Sequence, residues 1–260
     1  MNRLDTILES KRREVDVRRA KADIPALEAA ARAIPRRPFA EALVRPGPSV
    51  IAEMKKASPS KGLLRENYDP VELARAYYKS GAHAISVLTD EAFFQGSLDH
   101  LRLVRAAVPL PLLRKDFMID PFQMLESAAA GADAILLIVA AFPAEKREKT
   151  LRSMMQEARN WGLDALVEVH DEAELDRALG VQATLVGVNN RNLRTFEVDV
   201  ETSVKLAAKV KRAISVSESG LRTAADLTRL HALGYNAFLV GEQLVTADDP
   251  GAALSALLGK

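Results

Sequence analysis

Four phrases in this chain share one grammar: "SGAHAISVLT" (80–89), "AGADAILLIV" (130–139), "WGLDALVEVH" (161–170) and "LGYNAFLVGE" (233–242). In each, a helical pattern ends at Gly, a polar residue follows, and a short apolar run begins. Gly after a helix supplies the left-handed cap. An apolar run of this length reads as a strand buried on both faces. The phrase is therefore a helix-to-strand joint, and its recurrence predicts an alternating α/β chain.

Four more apolar runs fit the same role: "SVIAEMK" (49–55), "LPLLRKDF" (110–117), "ATLVGVNN" (183–190) and "AISVSESG" (213–220). Helical patterns separate the runs, over Val71–Lys79, Leu98–Ala107, Phe122–Ala130, Ala144–Asn160, Glu172–Leu179, Val200–Val210 and Ala224–Leu233. A last one covers Ala252–Leu258. Asp69-Pro70, Asp120-Pro121 and Asp249-Pro250 are helix starts of the cap-then-proline kind. Eight strands alternating with eight helices predict a single (β/α)8 TIM barrel. The competitor is a doubly wound open sheet. It would carry a Gly-rich phosphate loop after the first strand, where this chain has "KKASPSKG" (55–62). The barrel is assigned to 47–260, and 260 residues suit it. Residues 1–46 are a helical extension, too short to bury a core alone. Leu4, Ile7 and Leu8 recur there at helical spacing.

Composition removes several function classes. The formal net charge is +1, so no global field draws nucleic acid or an anionic membrane. There is no cysteine, which excludes disulfides, thiolate metal sites and cysteine nucleophiles. No apolar run approaches the roughly 18 residues that span a bilayer. The charged N-terminus has no apolar signal core. The four histidines are scattered without ligand spacing, so no metal site is expected.

In such a barrel the chemistry sits at the C-terminal strand ends. Side chains alternate along a strand, so Ile51, Glu53 and Lys55 share one face of the first run. Lys115 lies on the side of Leu113, and Glu168 on that of Leu166 and His170. The sixth run ends in Asn189-Asn190-Arg191, the seventh in Ser217-Glu218-Ser219-Gly220, and the eighth in Gly241-Glu242. Parity alone does not say which face is inward. Two carboxylates, Glu53 and Glu168, crowded with two ammonium groups, Lys55 and Lys115, shift one another's protonation. That suits acid–base work, with a lysine able to give a proton near neutral pH. A Schiff-base lysine fits the same residues. Gly220 and Gly241 follow strands 7 and 8, where barrels bind phosphate through backbone N–H groups. His170 is expected at the rim and Trp161 in packing.

The motifs "IAEMKKASPSKG", "LLRKDFMIDPFQ", "LVEVHDEAEL", "VGVNNRNLRTFEVD" and "VSESGL" occur in order, and with "LDTILESKRREV" they span the chain. It resembles the indole-3-glycerol phosphate synthase family. The resemblance implies closure of the indole ring of 1-(2-carboxyphenylamino)-1-deoxyribulose 5-phosphate, with loss of carbon dioxide and water and no cofactor or metal. By that resemblance Lys115 is the general acid, Glu168 assists dehydration and Glu53 relays protons. Lys55 binds the substrate carboxylate, with a share in the acid role left open, Arg191 holds the same carboxylate, Asn189 hydrogen-bonds the substrate, and Ser58 faces the ligand. Glu218 is a further inward carboxylate. Phe94, Phe117, Leu136, Leu193 and Leu239 surround the aromatic ring. Ser219, Gly220 and Gly241 cradle the phosphate, with Glu242 beside them. A carboxylate there repels phosphate unless it turns away, so Glu242 is expected to point outward. "ASPSKG" is expected to open a mobile loop carrying Ser58, with Pro59 limiting its freedom. The N-terminal helix is expected over the barrel mouth. The resemblance further implies a cytoplasmic enzyme, monomeric or a weak homo-oligomer, acting on a small molecule without nucleic-acid or membrane partners.

Overall fold

The computed structural model describes residues 3–142, 147–192 and 197–260, with the backbone alone for 147–149. Each of the eight apolar runs forms a strand: β1 (Ser49–Met54), β2 (Ala84–Leu88), β3 (Leu112–Lys115), β4 (Ala134–Ile138), β5 (Asp164–Val169), β6 (Leu185–Asn189), β7 (Ile214–Glu218) and β8 (Ala237–Val240). All neighbours pair parallel, and β8 closes on β1 to complete the barrel. The joint glycines Gly81, Gly131, Gly162 and Gly234 all have positive φ, from +69° to +111°, which side-chain-bearing residues rarely adopt.

The N-terminal segment forms α1 (Arg3–Lys21), α2 (Ile24–Ala33) and α3 (Phe39–Ala42). Around the barrel stand α4 (Pro70–Lys79), α6 (Leu98–Ala107), α7 (Phe122–Ala130), α8 (Arg147–Asn160), α9 (Glu172–Gly180), α10 (Glu201–Val210), α11 (Ala224–Ala232) and α13 (Pro250–Leu257). Of the helix expected from Ala144, residues 144–146 lie outside the described residues. Two short helices without a sequence signal, α5 (Glu91–Phe94) and α12 (Glu242–Val245), follow β2 and β8. Asp69 and Asp249 cap α4 and α13 through their side chains. At α7, which starts at Phe122 with Pro121 at the cap, Asp120 Oδ1 likewise accepts the Phe122 N–H, at 2.8 Å. Gln123 folds back to accept the N–H groups of Ile119 and Asp120, so its amide closes the first turn.

Two apolar layers result. Val50, Ala52, Ile85, Val87, Ile135 and Val167 pack outward against the helices. Ile51, Leu113, Leu136, Leu166, Val216 and Leu239 fill the barrel. This settles the parity left open by the sequence: the face of Ile51 is inward, which carries Glu53 inward too. The same reasoning turns Lys115 and Glu168 into the barrel.

The extension is not confined to one end. The α1 stripe of Leu4, Ile7, Leu8, Lys11 and Val15 is buried. Lys11 is 2.8 Å from both Asp90 and Asp116, at the ends of β2 and β3. At the opposite end, α3 buries Phe39 and Leu43 in the barrel-filling layer. Between them Arg37 donates to the Val108 and Leu110 carbonyls, and its backbone N–H to Asp133. These acceptors precede β3 and β4, so the linker is tied to the barrel base. Among the described residues no helix is long and apolar enough to cross a membrane.

Candidate active site

The strand register delivers the charged residues to one level. Lys115 pairs with Leu88, Glu168 with Ile138 and Gly187, and Glu218 with Asn189 and Leu239. Above the barrel-filling layer these side chains meet at the mouth. The Lys115 ammonium lies 2.9 Å from Glu168 Oε2 and 3.2 Å from Glu218 Oε2. Lys55 donates to Glu53 Oε1 at 2.8 Å. Glu53, Glu168 and Glu218 are all buried.

Two glycines make this crowding possible. A Cβ on Gly187 would collide with Glu218 Oε1, and one on Gly241 would come within 2.9 Å of Glu53 Cβ. Gly241 therefore makes room for a carboxylate, a role separate from any backbone contact with phosphate.

Burial opposes the charge on Lys115, but Glu168, Glu218 and Glu53 outweigh it and hold its pKa above the usual lysine value. Burial likewise opposes ionisation of Glu53 and Glu168, and is outweighed by Lys55 and Lys115 at Glu53 and by Lys115 and His170 at Glu168. Both carboxyls sit below their usual range. Burial pushes Glu218 up to about 7; Lys115 pulls it down and the Glu168 charge adds to the rise. With three carboxylates around one ammonium, the resting Lys115 keeps its proton.

The charged set divides the mouth into two chambers. On one side Leu4 and Ile7 of α1 join Leu88, Phe94, Phe117, Leu136 and Ile138 in an apolar wall. The Phe94 and Phe117 rings stand 6.2 Å apart and tilted. On the other side Ser219, Gly220, Leu239, Gly241, Arg222 and Gln243 line a more polar hollow. Lys55, Asn189 and Arg191 border both. Ser219 and Gly220 have φ of +68° and +79°, a left-handed pair that turns the chain sharply after β7. Asn189 Oδ1 accepts from Ser219 Oγ at 2.8 Å and from the Arg191 N–H at 3.0 Å, bracing that turn.

The structure thus gathers the sequence candidates, with three differences and one omission. Glu242 does not point outward. Its carboxylate lines the cavity, 2.6 Å from Lys61 and 3.6 Å from Arg191, because those two cations hold it there. Ser58 lines the cavity from a two-stranded ribbon in which Ala57 pairs with Leu63 and Ser58 with Gly62. The "ASPSKG" stretch is therefore a paired hairpin here. His170 is not a rim residue: Nε2 lies 3.3 Å from Glu168 Oε1 and Nδ1 lies 3.1 Å from Glu174 Oε2. Leu193 lies outside the described residues. The sequence reading missed Leu4 and Ile7 as cavity residues, although their helical spacing was visible. It also missed Gly187, whose meaning depends on the neighbouring strand.

Fold and site together define a (β/α)8 barrel with a buried cluster of paired ammonium and carboxylate groups between an apolar and a polar chamber. The family profile described as indole-3-glycerol phosphate synthase matches residues 4–257. The chain is 50% identical to the indole-3-glycerol phosphate synthase of Azospirillum brasilense, over 98% of both chains. It is 47% identical to that of Koribacter versatilis, also over 98% of both. Identity to indole-3-glycerol phosphate synthase 2 of Streptomyces coelicolor is 52%, over 89% of both. This chain belongs to the indole-3-glycerol phosphate synthase family. Among solved structures, a 3-hexulose-6-phosphate synthase superposes with a TM-score of 0.63 at 16% identity, over 81% of this chain and 98% of that one. A mutant tryptophan synthase α-subunit from Pyrococcus furiosus gives 0.62 at 14% identity, over 82% and 98%. At such identities the likeness is one of fold.

Proposed function

We propose that the chain converts 1-(2-carboxyphenylamino)-1-deoxyribulose 5-phosphate to indole-3-glycerol phosphate, carbon dioxide and water, a step of tryptophan biosynthesis. The observation that carries this reading is the Lys115 ammonium, held by Glu168 and Glu218 between the two chambers. The substrate is polar in a matching way, with an aromatic carboxylate at one end and a phosphate at the other.

In this reading the aromatic ring lies against Phe94, Phe117 and Leu136, under Leu4 and Ile7. Leu239, expected beside that ring, lines the polar hollow instead. Lys55 and Arg191 hold the ring carboxylate, with Asn189 and Ser58 within reach of the ligand. Ser219, Gly220 and Gly241 receive the phosphate. Glu242 is the anion that Lys61 and Arg191 hold when no substrate anion is near.

The ring carbon bearing the carboxylate attacks the ketone carbon, and negative charge develops on the ketone oxygen. Lys115 stabilises that charge and delivers the proton. Loss of carbon dioxide returns its electron pair to the ring. The new hydroxyl then leaves as water, taking a proton from an acid, while a proton lost from the intermediate restores aromaticity. Glu168 assists this dehydration, and Glu53 and Glu218 relay protons. The raised pKa of Lys115 favours an acid over a Schiff-base lysine, which must be neutral to attack. The enzyme works in the cytoplasm on a free small molecule, without cofactor, metal, nucleic acid or membrane, as a monomer or weak homo-oligomer.

The test is to mix the protein with the carboxyphenylamino deoxyribulose phosphate and follow indole fluorescence, with and without a chelator. Growth of the signal in both supports the reading. A flat trace overturns it, and loss with chelator overturns the metal-free part.

A further inference from the structure

Behind Glu168, on the side away from Lys115, lies a second ionisable pair. His170 follows β5 and is mostly buried, with a side-chain exposure of 13%. Its Nε2 is 3.3 Å from Glu168 Oε1, and its Nδ1 is 3.1 Å from Glu174 Oε2. Glu174 is itself fixed. The same Oε2 accepts the His170 backbone N–H at 2.8 Å, and the Glu174 N–H donates to Asp171, the cap of α9. Both ring nitrogens therefore face carboxylate oxygens.

Ionised carboxylates only accept hydrogen bonds, and a neutral imidazole has a single N–H. In a neutral ring one nitrogen would turn its lone pair toward a buried anion. Nδ1 hydrogen-bonds Glu174, while Nε2 stands at ion-pair distance from Glu168 without hydrogen-bond geometry, so the doubly protonated ring is the state that puts positive charge beside both carboxylates.

We propose that His170 is a positioning residue: its cationic ring bridges Glu174 and Glu168, holding Glu168 fixed and ionised while Lys115 changes charge. Glu168 otherwise has Lys115 as its nearest cation. When Lys115 gives its proton to substrate, a carboxylate with no other cation would be left unpaired in the interior, and would compete for that proton. His170 removes this competition. The charged groups facing the ring are Glu168 from its own strand and Glu174 from α9. Lys115 of β3 and Glu218 of β7 lie beyond Glu168. In keeping with the geometry, burial opposes the ring's charge but Glu168 and Glu174 overcome it, raising His170 to about 10. The inference rests on the proposed acid–base role of Glu168.

Two measurements on the full chain test it. The first reads the protein without turnover. Nitrogen NMR of the labelled imidazole, assigned by its loss in His170→Leu or His170→Asn, should find both ring nitrogens protonated through about pH 8, where an ordinary histidine is neutral. A neutral single tautomer at that pH overturns the proposal. The second is kinetic, with the carboxyphenylamino deoxyribulose phosphate as substrate. His170→Leu should lower kcat by about tenfold or more with KM within about threefold. The acid limb of its pH–rate profile should move up by roughly one unit, because Glu168 has lost a cation. His170→Asn, which keeps one N–H for Glu168, should recover part of kcat. A kcat within about twofold of wild type, or a lowered melting temperature with the acid limb unmoved, overturns it. If wild type turns over no substrate, the proposed function falls while the NMR result still decides the state of the ring.

Discussion

Glu218 occupies the space that a side chain on Gly187 would need: a Cβ there would strike Glu218 Oε1, with Glu218 Cδ and Leu166 Cδ1 each 3.3 Å away. The two residues sit on adjacent strands, and the clash partner is a buried carboxylate that pairs with Lys115. Gly187→Ala should therefore displace Glu218 from Lys115 while leaving the barrel closed. We expect kcat to fall by about tenfold or more with the circular dichroism spectrum unchanged. Wild-type turnover in a folded Ala variant would refute the steric coupling.

Lys115→Met tests the acid directly. It removes the only side chain that contacts both Glu168 and Glu218 by an ion pair among the described residues. Turnover should fall by about 10²–10⁴-fold, while substrate binding, followed by isothermal titration, should change by a few fold. Residual turnover within a few fold of wild type would exclude Lys115 as the proton donor.

The raised pKa of Glu218 makes a stability prediction with a definite sign. Its folded value is about 7, above the ordinary glutamate value of 4.5. The folded state therefore holds this proton more tightly. Its contribution is fully present below the unfolded value and is lost as pH rises through about 7. Glu218→Gln cannot ionise, so its stability relative to wild type should increase between pH 5 and pH 8, by up to about 3 kcal/mol. Urea denaturation at several pH values measures this. A difference that shrinks with rising pH would reverse the assignment.

Lys11 anchors α1 to Asp90 and Asp116, each at 2.8 Å, with Glu14 of the same helix also at 2.8 Å, and is 1% exposed. Removing one member of a buried charge network costs about 3–5 kcal/mol, because its partners stay buried without it. Lys11→Met should show that loss in a denaturant midpoint. It should also raise KM, since Leu4 and Ile7 of the same helix line the apolar chamber. Hydrogen exchange across α1 should accelerate selectively. Unchanged exchange there would mean that the apolar stripe alone holds the helix.

The site was partly legible in advance because strand ends are short and polar groups stand out on them. Glu53, Lys55, Lys115, Glu168, Asn189 and Glu218 all line the mouth. Glu242 was misjudged because its orientation depends on Lys61 and Arg191, which approach from two other loops. His170 was misjudged because Glu174, its second partner, belongs to the helix that follows. Charge alone, without those neighbours, favours the outward rotamer and the solvated rim.

The local chemistry of the chain determined its elements and their order. Gly joints, apolar runs and capped helices set eight strands against eight helices, because each is decided by neighbours within a few residues. Which face of each strand turned inward was undecided until the barrel closed, since a period of two is the same seen from either side. Closure also made Gly187 a partner of Glu218, put Lys11 beneath two aspartates, and gave Lys115 three carboxylates. Those pairings, and the protonation states that follow from them, join residues far apart in the chain, and burial decides their strength. Only the tertiary structure could decide them.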